Sequence, residues 1–441
     1  MRSPVATLHP AAGILATLSF FTLFAGDAWR NLIGWPAYLA LAGVLALANV
    51  VWVFIARPEL PLRKWPKMLL LFVALAIASI AWARYQGTTG PGGHLDVTLG
   101  ALALLAAGVA GLAPALILTQ RQLASVIGGA LRWVLGLSLL FELVVALFIR
   151  HPILPLVRVA GVDYTGKLPA AFYWSRNELL HGGPIQGIVG NADLLAMCAL
   201  IGLIVFGLQR AEGASRPFWG WFWIVLAAVE LALTRSATVL VAAAATAVVL
   251  GFAVWARVRG QRGRGPLYLS AFLLLVVVVG GAITAWEAFT GLLGKSTTLT
   301  GRTDIWNAVI PLAQQHTVFG WGWLGYWVPW AKPFDGLAVR GGVEYLQAHN
   351  AWLDVWLQLG IVGVVVFACL AITTLGRAWF MAVDRPMTDA SSRHPFTALT
   401  LLPLLVFSAQ LVQSLAESRL LIESGWALLV VWSVTTKASR P

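Results

Sequence analysis

The stretch SATVLVAAAATAVVLGFAVWARVRGQRGRGPLYLSAFLLLVVVVGGAITAW, residues 236–286, holds two apolar runs around a cluster of four arginines, Arg257, Arg259, Arg262 and Arg264. Each run has the ~20 residues that a helix needs to cross a ~30 Å hydrocarbon layer. The pair therefore reads as two membrane spans joined by a short basic turn. Outward from it the pattern recurs in both directions. It predicts helices at 11–28, 34–56, 67–85, 97–118, 133–149, 185–208, 217–234, 236–256, 267–291, 351–375, 397–415 and 420–436. The composition agrees: 59% of the 441 residues are hydrophobic and 11% charged, where a soluble domain has about a quarter charged. A chain this apolar needs lipid to cover it. The expectation is an all-α polytopic membrane protein of about 12 transmembrane helices, a single membrane domain over residues 1–441.

Twelve spans put both ends of the chain on one side, and the basic residues say which. Arg57, Arg63, Lys64, Lys67, Arg121, Arg132, Arg210, Arg216, the four arginines above, Arg377 and Lys437 fall in segments that share one face. The excess of Lys and Arg in cytoplasmic loops makes that face the inside. Only Arg30, Arg84, Arg235 and Arg419 remain for short outer turns. The net charge of +12 is thus a record of topology, and no nucleic-acid partner is expected. The first apolar run reads as a span, not as a cleaved leader. Cys198 and Cys369 lie inside apolar runs and read as small core residues.

Two outer segments are too long to be mere connections: 150–184 and 292–350. The second is rich in Trp and carries its own helical pattern. In TDIWNAVIPLAQQH (303–316), Ile305, Trp306, Val309, Ile310 and Ala313 share one helix face. This is either a short helix on the outer membrane surface or one that packs on the bundle.

Chemistry-bearing residues concentrate on the outer side. Arg235 stands in the tight turn TRS (234–236), and Arg302 stands in GRTDIW (301–306), just before the surface helix. A guanidinium in either place suits an anion, through bidentate charge-assisted bonds. His349 lies in AHN (348–350) at the mouth of the following span, with Asn350 as a good helix N-cap. An imidazole titrating near ~6.5 takes a proton from a hydroxyl at neutral pH. Two arginines and a histidine together fit attack by an alcohol on a carbon that carries a diphosphate leaving group. GKST (294–297) lacks the upstream glycine of a phosphate-binding loop. No HExxH or paired-aspartate metal pattern occurs, so neither metal nor cofactor is expected. Other candidates for substrate contact are Asn191 and Asp193 at the outer start of a span, Arg176 with His181 in the first long loop, Asn350, and Trp321 and Trp323 in GWGW. Each has a plainer reading as a cap, a solvated loop residue or an anchor. Glu417 and Arg419, in the last outer turn, either pair with each other or face the site.

At these residues the sequence resembles the O-antigen ligase family, which includes related polysaccharide polymerases. GNADLLA (190–196), LTRSATVLVA (233–242), GRTDIWNAVIPLAQQHTVFGWGWLGY (301–326) and AHNAWLDVWLQLGIVGVVVF (348–367) follow the family's order. The resemblance implies a GT-C-like, metal-independent, inverting glycosyltransferase of the bacterial inner membrane, with both termini cytoplasmic and the active site on the periplasmic face. Its donor would be an undecaprenyl-diphosphate-linked glycan, and its acceptor a glycan or, for a ligase, lipid A–core. Arg235 and Arg302 would bind the diphosphate and His349 would be the base. A polysaccharide polymerase of the same architecture is the nearest alternative. A polysaccharide or lipid transporter is the alternative of another class; Glu142, Glu230 and Glu287, within or near apolar runs, speak for it.

Overall fold

The computed structural model describes residues 10–59, 61–87, 91–158, 164, 166, 168–284, 302–340, 342–384 and 396–438. GKST (294–297), Gly301, Glu287 and the end of the ninth expected span lie outside the described residues. The chain divides into two compact units: Met1–Pro66 with Leu102–Val239 and Arg419–Pro441, and Lys67–Ala101 with Leu240–Ser418.

The helices are α1 (Pro10–Phe24), α2 (Gly26–Ala56), α3 (Lys67–Ala78), α4 (His94–Ile117), α5 (Gln120–Val144), α6 (Ala192–Ala211), α7 (Pro217–Thr234), α8 (Ala237–Arg259), α9 (Gly265–Thr284), α10 (Arg302–Gln315), α11 (Ala351–Val383), α12 (Leu402–Gln413) and α13 (Glu423–Ala438). Among the described residues, seven helical stretches are long and apolar enough to cross a membrane: α2, α4, α5 with its continuation to Ile149, α6, α7, α8 and α11. Pro10–Phe24, Lys67–Trp82, Gly265–Val278 and Ala398–Gln413 are apolar but shorter. The protein is a multi-pass, all-helical membrane protein.

Several boundaries differ from the sequence reading, two of them substantially. Thr119 caps α5 with a reciprocal Thr119–Gln122 box, so the helix starts well before 133. Arg132, read as a loop residue, lies inside it and donates to Gln209 over 2.6 Å. Residues 185–191, read as the start of a span, are irregular. Gly187 and Gly190 take positive φ there, and Asn191 caps α6 by accepting from the Asp193 and Leu194 amides at 2.9 and 3.2 Å. Cys198 is buried as expected, but Cys369 is exposed on its helix, because α11 turns that face away from its packing partners.

The second unit frames the residues of interest. Helix α10 packs on α11 and buries Ile305, Val309, Leu312 and Ala313, which is the packing alternative for this helix. These residues share a core with Tyr85, Trp327, Phe334 and Leu357. Two two-residue strands, Val339–Arg340 and Val343–Glu344, form a small antiparallel hairpin in the same loop. Helix α11 is interrupted at Gly360, with φ 66° and ψ −169°. The backbone groups freed at this break are taken up by the preceding loop. The Trp321 and Gly322 amides donate to the carbonyls of Leu357 and Gln358, and the Ile361 and Val362 amides donate to those of Thr317 and Val318. Irregular backbone is tolerated at membrane depth where protein satisfies its polar groups in this way.

Candidate active site

The sequence pins His349 from both sides. On one side, the Ala348 amide donates to Asp354 Oδ2 at 3.0 Å, and Ala348 O accepts from Trp306 Nε1 at 3.0 Å. On the other, Asn350 caps α11 by accepting from the amides of Trp352 and Leu353 at 3.0 and 3.1 Å. The Asn350 amide donates to Ser418 Oγ at 3.2 Å and its side-chain amide donates to Leu415 O at 3.2 Å. Asp354 gathers this junction, accepting also from Trp327 Nε1 at 2.8 Å and from the Ser418 hydroxyl. Between these anchors His349 is held at φ 48°. A non-glycine residue in the left-handed region is uncommon, and such strain concentrates at functional sites.

Glu417, in the turn after α12, reaches two of the candidate residues. Its Oε2 lies 2.9 Å from His349 Nδ1, and its Oε1 accepts from Arg302 Nη2 at 2.7 Å. Arg302 and Glu417 are buried, at 6% and 5% exposure, and the His349 side chain is 16% exposed. The Tyr345 ring meets the imidazole edge-on, with centroids 5.4 Å apart. A carboxylate at Nδ1 makes that nitrogen the donor and leaves Nε2 as the acceptor. Among the described residues nothing is bonded to Nε2. Burial alone would raise the Glu417 carboxyl; the charges of His349 and then Arg302 outweigh it and hold the group at about 2.

Residues 220–368, which include Arg235, Arg302 and His349, match the family profile described as O-Antigen ligase. Over these residues the chain is similar to the O-antigen ligase family. A relative, the exopolysaccharide production protein ExoQ of Rhizobium meliloti (strain 1021), is 29% identical over 176 residues. That alignment covers 37% of this chain and 38% of the relative's own length.

The remaining candidates fall in different places. Arg235 belongs to the first unit. It is exposed, ends α7 at φ 51°, and its Nη2 lies 3.6 Å from where a Cβ on Gly182 would stand. Beside it, the Ser236 hydroxyl donates to Asp193 and accepts from the Val239 amide. The first long loop, the capped start of α6 and the TRS turn are thus neighbours within that unit. Arg176 Nε donates to Ala170 O at 3.1 Å, and His181 Nδ1 lies 2.7 Å from Asn177 O. In the second unit, Trp323 is 1% exposed and packs edge-on against Phe72 at 5.6 Å, so it serves packing. Trp321 is half-buried, stacks on Tyr85 and donates to Leu312 O at 3.1 Å.

Glu417 is the residue the sequence reading left undecided. Its partners are Arg302 and His349; Arg419 pairs instead with Glu423 and Asp27. It lies beyond the segment that matches the family profile. The signal available was a carboxylate in a short turn of an otherwise apolar region.

Proposed function

We propose that this protein is a membrane glycosyltransferase that moves a glycan from an undecaprenyl-diphosphate-linked donor to an acceptor hydroxyl on the outer face of the inner membrane. The observation that carries the reading is the Glu417 carboxylate held between Arg302 and His349. His349 Nε2 takes the proton of the acceptor hydroxyl as its oxygen bonds to the anomeric carbon. The bond from that carbon to the diphosphate breaks on the opposite side, inverting the sugar, and the electron pair leaves with undecaprenyl diphosphate. Arg302 stabilises the charge that develops on the leaving group, where a fixed cation acts without reorganising. Arg235 is assigned a second phosphate contact on the family resemblance. Asn191, Asp193, Arg176 and Trp321 are assigned to the glycan or acceptor on the same basis, and Asn350 to holding the histidine.

The test is transfer by purified protein in liposomes, from a lipid-diphosphate-linked glycan to an acceptor, without an ion gradient. Product formation that disappears in His349→Ala supports the reading. Full activity in that variant removes the histidine from the mechanism, and a requirement for a gradient favours a transporter. The likeness to an exopolysaccharide production protein favours a second reading, a polymerase whose acceptor is another lipid-linked copy of the glycan. Mass spectrometry of the product separates the two, since a polymerase lengthens its own donor.

A further inference from the structure

We infer that Glu417 is a positioning residue that shares one carboxylate charge between Arg302 and His349, so that an anion binding to Arg302 strengthens the base. The inference rests on the proposed function only for the identity of that anion. One oxygen of Glu417 faces each partner, at 2.7 Å for Arg302 and 2.9 Å for His349, and the group is 5% exposed. Water therefore screens neither contact well. A carboxylate at Nδ1 orients the imidazole and favours its charged form, as the third group of a nucleophile–base arrangement does. In the free protein the Arg302 charge opposes this, because it draws on the same carboxylate. A diphosphate on Arg302 neutralises that charge, and the field of Glu417 on His349 is then unopposed. The base is strong when a donor is present and weaker when it is not. Once the acceptor proton is on Nε2, the imidazolium is stabilised by Glu417 while the electron pair departs with the diphosphate.

The other groups around the imidazole do not account for such a link. Asp354, in the first turn of α11, is engaged by Trp327, Ser418 and the Ala348 amide. Tyr345 presents a ring, and Ser418 is bonded to Asp354 and the Asn350 amide.

The experiment needs no glycan. Full-length protein in detergent is treated with diethyl pyrocarbonate across pH 5 to 9, and modification of His349 is followed by peptide mass spectrometry. The midpoint of the rate profile reports the imidazole. Glu417→Gln keeps the size and removes the charge, so its midpoint is expected to fall by about one pH unit, the scale of a close opposite charge. Glu417→Asp is expected to recover part of the shift. Arg302→Gln, or saturating inorganic diphosphate on the wild type, is expected to raise the midpoint, and diphosphate should have no effect on Arg302→Gln. Wild-type midpoints in both Glu417→Gln and Arg302→Gln would overturn the inference; should one variant fail to fold, the other decides alone. If the midpoints shift as expected while His349→Ala still transfers glycan, the transferase mechanism fails and the coupling stands.

Discussion

His349 sits in a conformation that a β-carbon disfavours, and the fold holds it there with a cap on one side and Asp354 on the other. Its replacement by alanine is expected to cost ~10²–10⁴-fold in transfer, the usual contribution of a positioned base, with normal insertion and chromatographic behaviour. Arg302→Lys keeps a charge but loses the planar fork. It is expected to retain activity between wild type and Arg302→Ala, with the loss seen mainly in the donor's KM. Glu417 also links stability to pH. Its carboxyl is held at about 2, below its ordinary 4.5, so the folded state favours the ionised form. The stabilisation is full above the unfolded value and is lost as pH falls from there toward about 2. The thermal stability of the wild type, read as Tm, should therefore fall as pH is lowered from 5 to 3, and Glu417→Gln should show a flatter dependence over that window. Parallel slopes would contradict this.

At the scale of an element, α11 does two jobs that its length conceals. Its first turn is built by Asn350, and Asn350→Ala is expected to lower stability by ~1 kcal/mol, as loss of an N-cap does, and to loosen His349. Its break at Gly360 docks the GWGW loop. A Cβ there would stand 2.1 Å from Val318 O, at a φ of 66° that side chains avoid. Gly360→Ala is therefore expected to be strongly destabilising, measurable as a lowered Tm or loss of protein from the membrane, whereas Gly376→Ala, with open space around it, should be neutral. In α10, one helix face closes on the core while Arg302 at its first turn is carried to Glu417. The same helix thus supplies a packing face and the Arg302 contact to Glu417.

At the scale of the whole molecule, the apolar helices and basic turns call for a defined orientation. In a background with Cys198 and Cys369 replaced by alanine, a membrane-impermeant maleimide added to cells with a permeabilised outer membrane should label Asp335→Cys. Gln261→Cys should react only after the inner membrane is opened. The reverse pattern would place the long loop inside and end the case for a lipid-linked donor on the outer face. Both positions are exposed, so failure to label is not a matter of burial.

Local signals made much of this readable in the chain itself. Apolar runs of membrane length, basic turns, the Asn191 and Asn350 caps and the α10 face are all patterns among neighbouring residues, and neighbouring residues suffice to determine them. The helix spanning 217–234 falls where the hydropathy puts it because Pro217 opens it and Arg235 ends it in a left-handed cap. What tertiary structure alone decided is the pairing of Glu417 with residues 115 and 68 positions away, the burial of Trp323 and the contact of Arg132 with Gln209. These depend on which faces meet after folding. A carboxylate in a short turn reads the same whether it meets solvent or an arginine, since its charge is local but its partner is not.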